Sequence, residues 1–233
     1  MSLFQVNGLN KKYVSGEVTT PVLKNVKLEI EKGEFVTILG PSGSGKTTLL
    51  NVLSGLDHEY SGEIQYNEQN FSKLTEKQLG EYRRQDVSLV FQQYYLLPTL
   101  TVHENTQVGK YLTSEQLSIS TILEQVGLLE HKDKYPNQLS GGQKQRTAIA
   151  RAIVKSPKII FCDEPTGALD IENSKMVIQL LLELNKKNGV TIIMVTHHEA
   201  FSLLANRVIR MKDGKIEEVN ITTSPLSIDE IEW

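Results

Sequence analysis

Lys46 and Thr47 stand near the end of a glycine-rich run, GPSGSGKTT, made of Gly40, Pro41, Ser42, Gly43, Ser44, Gly45, Lys46, Thr47 and Thr48. Glycines let a main chain curl round an anion so that several N–H groups point inward, and the start of a following helix adds positive potential. Lys46 offers a full positive charge to the outer phosphates of a nucleotide, and the Thr47 hydroxyl is placed to ligate Mg²⁺. The pattern G-x-x-x-x-G-K-[ST] gains its meaning from its setting. Here an apolar run ends at Leu39, and Leu49, Val52, Leu53 and Leu56 follow on one predicted helix face. Strand, glycine loop and helix together predict a nucleoside triphosphate site.

Other residues suit the chemistry such a site needs. The run KIIFCDE ends in adjacent carboxylates, Asp163 and Glu164. At the C-terminal edge of a parallel sheet, where ligands of such sheets bind, Asp163 is suited to hold Mg²⁺ with its waters. Glu164 is suited to take a proton from an attacking water, a role that needs only hydrogen-bond reach; its plainer reading is a polar residue leaving the sheet. VTIIMVTHH ends in His197 and His198. The parallel with the Asp163 strand favours His197 as a phosphate contact, while His198, expected to face the other way along the strand, receives no role. Gln92 follows the apolar run VSLVF, and its amide could reach Mg²⁺ or the water. A second glycine pair lies in LSGGQKQR, residues 139–146. Ser140 is an N-cap type, Gly141 and Gly142 bare the main chain, and the helix QKQRTAIARAIVKS would aim its positive end there. That makes either a second anion cradle or a tight helix cap.

Elements that would position these groups can be read from periodicity. Val26, Leu28 and Ile30 alternate inward along LKNVKLEI, EFVTILG is a buried run, and SGEIQYN is a short strand candidate. Between Asn105 and Gln138 the texture is helical, with Ile119, Ile122, Leu123 and Val126 on one face and Gly127 as the stop. A helix from about Glu172 carries Met176, Val177, Leu180, Leu181 and Leu184 and closes at Asn188-Gly189. RVIRMKDGKIEEV reads as a hairpin turning at Asp213-Gly214. Buried strands alternating with helices indicate an α/β chain with a largely parallel sheet. The strand-rich start suggests a smaller antiparallel sheet beside it. Domain boundaries follow: a single domain over 1–233, with 1–92 and 139–233 as core and β lobe and about 93–138 as a helical lobe.

Bulk properties narrow the class. Apolar residues at 39% and charged residues at 23% describe a globular protein able to bury a sizeable core. A net charge of -3 gives no electrostatic reason to expect nucleic acid. The single cysteine, Cys162, rules out an intramolecular disulfide and fits a reducing compartment. No secretory signal is evident at the start, and no apolar stretch approaches the roughly 18 residues of a membrane span. The expected location is cytosolic, or at a membrane held there by something else.

Taken in order, Tyr13, GPSGSGKTT, FQQ, LSGGQKQR, IIFCDEP, TGALD and TH resemble the nucleotide-binding subunit of ABC transporters along nearly the whole chain. The resemblance implies a P-loop NTPase, RecA-like core with a small antiparallel β subdomain and an inserted α-helical subdomain. It implies ATP and Mg²⁺ as cofactors and ATP hydrolysis coupled to transport. Thr47, Gln92 and Asp163 would hold the metal, with Lys46, Gln92, Glu164 and His197 catalytic. Tyr13 matches the aromatic that stacks on adenine, against the plainer reading of an edge-strand tyrosine packing the small sheet. Ser140, Gly141, Gly142 and Gln143 match contacts to the γ-phosphate held by a second copy, and Asp170 matches a residue linking two sites across a head-to-tail dimer. FQQYYLLPTLTVHEN matches a groove for a membrane permease's cytosolic helix, with Tyr94, Tyr95, Leu96 and Leu97 as its apolar weight, or as ordinary lobe packing. The implied location is peripheral, on the cytoplasmic side of the cell membrane. Within the family, the chain is most similar to macrolide-export, lipoprotein-release and antimicrobial-peptide or bacteriocin export ATPases. Two departures are a shortened segment before PNQLSGG and THH where THD is usual. The acidic tail SPLSIDEIEW, with Ile228, Ile231 and Trp233, is expected to be a loose terminus or to dock on a partner.

Rival readings are a soluble ABC ATPase acting on nucleic acid or ribosomes, a P-loop kinase, and a nucleotide-gated regulator of a membrane protein. The first tends to carry a long coiled coil, zinc-binding cysteines or two cassettes, none visible here. The second has no use for LSGGQ or for Asp163-Glu164 with His197. Turnover separates the third.

Overall fold

The computed structural model describes residues 1–112 and 118–231. Two sheets organise them. The first is antiparallel, with β1 (Ser2–Ser15), β2 (Val18–Glu31), β4 (Ser61–Tyr66) and β5 (Gln69–Asn70) in the order β2-β1-β4-β5. The second contains β3 (Phe35–Leu39), β6 (Val87–Phe91), β7 (Ile159–Asp163), β8 (Thr191–Val195), β9 (Arg207–Lys212) and β10 (Lys215–Ile221), in the order β10-β9-β3-β8-β7-β6. Every pairing in the second sheet is parallel except the β9–β10 hairpin. That hairpin turns at Asp213 and Gly214, both with positive φ, the hand that matches strand twist.

The central strands of the large sheet are buried on both faces, and strand alternation assigns their residues to two cores. Val36, Ile38, Ile159, Phe161, Ile193 and Val195 join the core built with the small sheet, α1 (Lys46–Leu53) and α2 (Glu76–Gln85). Phe35, Leu39, Ile160, Cys162, Ile192 and Met194 join the other. The second core is completed by α3 (Val102–Lys110), α4 (Ile119–Gln125), α5 (Gly141–Ile153) and α6 (Ile171–Asn188). This two-faced burial is why β3, β7 and β8 read as uninterrupted apolar runs. Parallel pairing of β3, β6, β7 and β8 also sets Leu39, Phe91, Asp163 and Val195 at one sheet edge.

The expected inward residues of β2, Val26, Leu28 and Ile30, are buried, as are Ile119, Ile122 and Leu123 of α4. Gly127 and Gly189 follow α4 and α6 with φ of 64° and 66°, the left-handed stop only glycine adopts freely. Four expectations need correction. Leu56 lies beyond the end of α1 and is exposed, because the helix stops at Leu53 and Gly55 turns the chain. Met176 is also exposed, since the buried stripe of α6 passes through Val177, Leu180, Leu181 and Leu184. His198 is not on a strand at all: β8 ends at Val195, and the His198 ring stacks on His197 with centroids 4.7 Å apart. The tail is not loose as far as Ile231, which is buried in the larger core with Ile228 packed against it. Trp233 and residues 113–117 of the expected helical lobe lie outside the described residues. A whole helix, α2, was not anticipated; its start is marked by a capping box between Thr75 and Gln78.

Candidate functional site

Of the six α-helices described, five begin on a side-chain cap: Thr75, Thr101, Ser118, Ser140 and Asp170. α1 does not. Its N-cap is Gly45, which has no side chain to offer, so its first N–H groups are left for an outside acceptor. The loop before it bends through Gly40, Gly43 and Gly45, with φ of 151°, 79° and 98°. A Cβ on Gly40 would collide with the Met211 carbonyl, so this turn admits glycine alone. Lys46 Nζ lies inside the curl, donating to the carbonyls of Gly40 at 2.7 Å and Pro41 at 2.9 Å. Ser44 Oγ is buried there with no hydrogen-bond partner among the described residues.

A cavity of about 670 Å³ opens in front of this loop. It is lined by Ser42, Gly43, Gly45, Lys46, Thr47 and Thr48, and by Gln92, Asp163, Glu164 and His197 from the ends of β6, β7 and β8. Thr47 Oγ1 donates to Asp163 Oδ1 at 3.1 Å. Burial raises the Asp163 carboxyl above its ordinary value, against the Thr47 hydrogen bond that lowers it; the nearby Glu164 charge adds to the rise. Glu164 adopts φ of 50°, a left-handed conformation strained for a side chain of this kind. Its N–H donates to the Val195 carbonyl at 2.9 Å, which ties the end of β7 to β8. Its Oε2 lies 2.8 Å from His197 Nδ1. The Gln92 amide lies against the turn that follows: a Cβ on Gly167 would stand 2.8 Å from Gln92 Nε2.

Tyr13 borders the same cavity, half exposed. It is held by a pair that periodicity did not reveal. Lys11 Nζ is buried, bonded to Asp57 Oδ1 at 2.6 Å and the Glu59 carbonyl at 2.7 Å, and sits 4.8 Å from the Tyr13 ring centroid. The Tyr13 hydroxyl donates to Asp57 Oδ2 at 3.2 Å. Burial alone would raise the Asp57 carboxyl, but Lys11 and the Glu59 N–H hold it below its usual range. Tyr13 lies beyond the β1–β4 pairing, which ends at Asn10, and is paired with Thr20 of β2 on the small sheet while also lining the cavity. Val22, Phe91, Gln93, Tyr95 and Val195 also line the cavity and were not anticipated. Phe91, Gln93 and Tyr95 flank Gln92, so proximity in sequence could have found them; nothing in the sequence marks Val22.

The LSGGQ residues sit elsewhere. Ser140, Gly141, Gly142, Gln143 and Asp170 do not line this cavity. In the single chain, Ser140 Oγ accepts from the Gln143 N–H at 3.3 Å, and Gln143 Oε1 accepts from the Ser140 N–H at 3.0 Å. The start of α5 is therefore closed by its own side chains. Gly142 is required by packing, because a Cβ there would run into the Asn173 side chain. Asn173 in turn donates to Asp170, the cap of α6, whose carboxyl is held low chiefly by the Asn173 N–H.

Could a divalent cation fit beside the loop? Thr47, Asp163 and Gln92 present a hydroxyl, a carboxylate and an amide to one space, the hard-oxygen donor set Mg²⁺ prefers. A carboxylate whose charge is disfavoured by burial is also one that gains from a bound cation.

Fold and site together define a P-loop nucleotide-binding domain. A family model described as "ABC transporter" matches residues 23–167, more than half of the chain. The chain belongs to that family, as an ATP-binding domain. It is 44% identical over its full length to a Mycoplasma genitalium protein whose name gives it as an ABC transporter ATP-binding protein, and spans half of that protein. It is 43% identical, over 93% of its length, to a bacitracin export ATP-binding protein of Halalkalibacterium halodurans, covering 87% of it. Among solved structures it resembles the dimeric, post-hydrolysis state of an ATP-binding cassette bound to ADP and Pi. That match has TM-score 0.86, 37% identity, and covers 95% of this chain and all of that one. Among the described residues, no helix is long and apolar enough to cross a membrane.

Proposed function

We propose that this chain binds ATP with Mg²⁺ in the cavity before α1, hydrolyses it, and uses the cycle to drive a separate membrane permease through head-to-tail pairing with a second copy. One observation carries the reading: Lys46, the Thr47–Asp163 pair, Gln92 and the Glu164–His197 pair, drawn from four strand ends, converge on a single cavity. The uncapped first turn of α1 and Lys46 would bind the triphosphate tail. Thr47, Asp163 and Gln92 would hold Mg²⁺, which when bound neutralises charge on the phosphates. Glu164 accepts the proton of an in-line water. Its contact with His197 Nδ1 orients the ring so that Nε2 faces a phosphate oxygen, to which it donates as the imidazolium when Nδ1–H is given to Glu164. Tyr13 takes the base. Catalysis is then positioning and electrostatics.

In the second copy, Ser140, Gly141, Gly142 and Gln143 would close over the γ-phosphate, with Asp170 beside them at the seam. The family's dimeric neighbour supports this arrangement, and a two-fold axis would make the two sites equivalent. For the permease, the support is the name of the bacitracin export relative and the exposure of Tyr95, Leu97, Tyr111 and Leu112 around residues 93–112. With α3 and α4, this stretch to residue 138 would form the helical subdomain, and the chain would work at the cytoplasmic face of the membrane.

Glu164→Gln keeps the shape and removes the base. Turnover should fall by about a hundredfold or more, ATP should still bind, and size-exclusion chromatography with ATP should show a dimer. A variant that hydrolyses ATP at the parental rate overturns the assignment. Lys46→Ala should instead weaken nucleotide binding itself, measured by titration.

A further inference from the structure

Gln92 reaches the cavity from a stretch whose backbone is under strain. Tyr94 and Tyr95, just after it, both adopt left-handed φ, at 60° and 46°. Two consecutive non-glycine residues in this region are costly. The Tyr95 N–H closes onto the Gln93 carbonyl at 2.6 Å, a three-residue turn around Tyr94 in the rarer, strained hand. Something outside the turn must hold it.

The partner is on α5. Arg151, in its last turn, donates from Nη1 to the Tyr95 carbonyl at 2.6 Å and from Nη2 to the Tyr94 carbonyl at 2.8 Å. Both carbonyls of the strained pair are thus gripped by one planar fork, a geometry lysine cannot reproduce. The same helix meets the turn again at its other end: a Cβ on Gly141 would stand 3.2 Å from the Tyr94 hydroxyl. α5 itself is locked against α3 at the level of Arg151, where a Cβ on Gly109 would strike the Arg151 carbonyl. The Tyr95 ring, held by this turn, packs edge-on against Phe91 at 5.2 Å, on the other side of Gln92.

We propose that Arg151 is a positioning residue for Gln92: its guanidinium fork offsets the strain of the Tyr94–Tyr95 turn and so fixes where the Gln92 amide stands in the cavity. This rests on the reading of Gln92 as a partner of Mg²⁺. Arg151 does not line the cavity. Its effect is on the metal side of the reaction, not on the grip of the loop around Lys46.

Two measurements test it. Arg151→Lys keeps the charge and loses the fork. The Mg²⁺ concentration for half-maximal ATP hydrolysis should rise about tenfold, while ATP affinity measured in EDTA stays within about twofold of the parent. Unchanged Mg²⁺ dependence overturns the proposal, as does an equal loss of metal-free ATP affinity, which would mark general collapse. The second measurement needs no nucleotide and no Arg151 variant. Tyr94→Gly and Tyr94→Ala remove the same ring, but only glycine accepts positive φ without cost, so the glycine variant should melt about 2–4 °C higher. An alanine variant as stable as the glycine one overturns the strained clamp, even if Arg151→Lys does not fold. Failure of the parent to bind ATP even with Mg²⁺ present would instead count against the nucleotide site, leaving the melting comparison to decide the clamp.

Discussion

Asp163 meets two demands that oppose each other. As a metal partner it must be ionised, yet burial raises its carboxyl above the ordinary aspartate value of 3.8. The folded chain therefore binds this proton more tightly than the unfolded chain does. Stability contributed at this position falls as pH climbs through the unfolded value, and the full penalty is present once pH exceeds the raised, folded one. Asp163→Asn is neutral and can still accept from Thr47. Without metal it should melt about 1–3 °C above the parent, while Mg²⁺-supported hydrolysis falls by about a hundredfold or more. For the parent, metal affinity should weaken as pH drops, with a midpoint above 3.8 rather than at it. Calorimetry of the metal-free proteins and a Mg²⁺ titration across pH check both halves; a less stable Asp163→Asn would remove the argument from burial.

At the scale of elements, the same chemical change should act in opposite directions on two helices. Gly80 sits inside α2 with open space around it, whereas Gly142 abuts Asn173 across the gap between α5 and α6. Gly80→Ala should stabilise by about 0.5–1 kcal/mol through helix propensity. Gly142→Ala should destabilise by about 1–3 kcal/mol through overpacking. Urea unfolding of the two variants reads both signs. The contrast also marks how far the sequence could be read. The glycine loop, the strand ending at Asp163 and the cap Ser140 were legible because each rests on local chemistry. α2 was missed because its mostly polar face, EKQLGEYRRQ, buries only Leu79 and Tyr82 and shows little apolar periodicity. Leu56 and Met176 were misplaced because spacing alone cannot say where a helix stops or which edge of its stripe meets the core. The Lys11–Asp57 support of Tyr13 and the Arg151 fork join residues 46 and 56 to 57 apart, so no local pattern announces them.

Across the whole molecule, the large sheet places the phosphate loop and the capped start of α5 in different surroundings. In the proposed cycle the second copy supplies the lid of each site, which is why pairing is central to it. Cys162 bears on how that pairing can be observed. It is the chain's only thiol, fully enclosed in β7, and burial pushes its ionisation far up. A buried thiol that does not ionise is inert to oxidants and maleimides. The native protein is thus already a silent background for thiol chemistry, with no cysteine to delete first. Ser42→Cys on the cavity wall combined with Ser140→Cys at the head of α5 should form a covalent dimer on a non-reducing gel when ATP is added to the Glu164→Gln protein. Without nucleotide the same mixture should run as monomer, so one engineered pair can report, in solution, when two copies face each other.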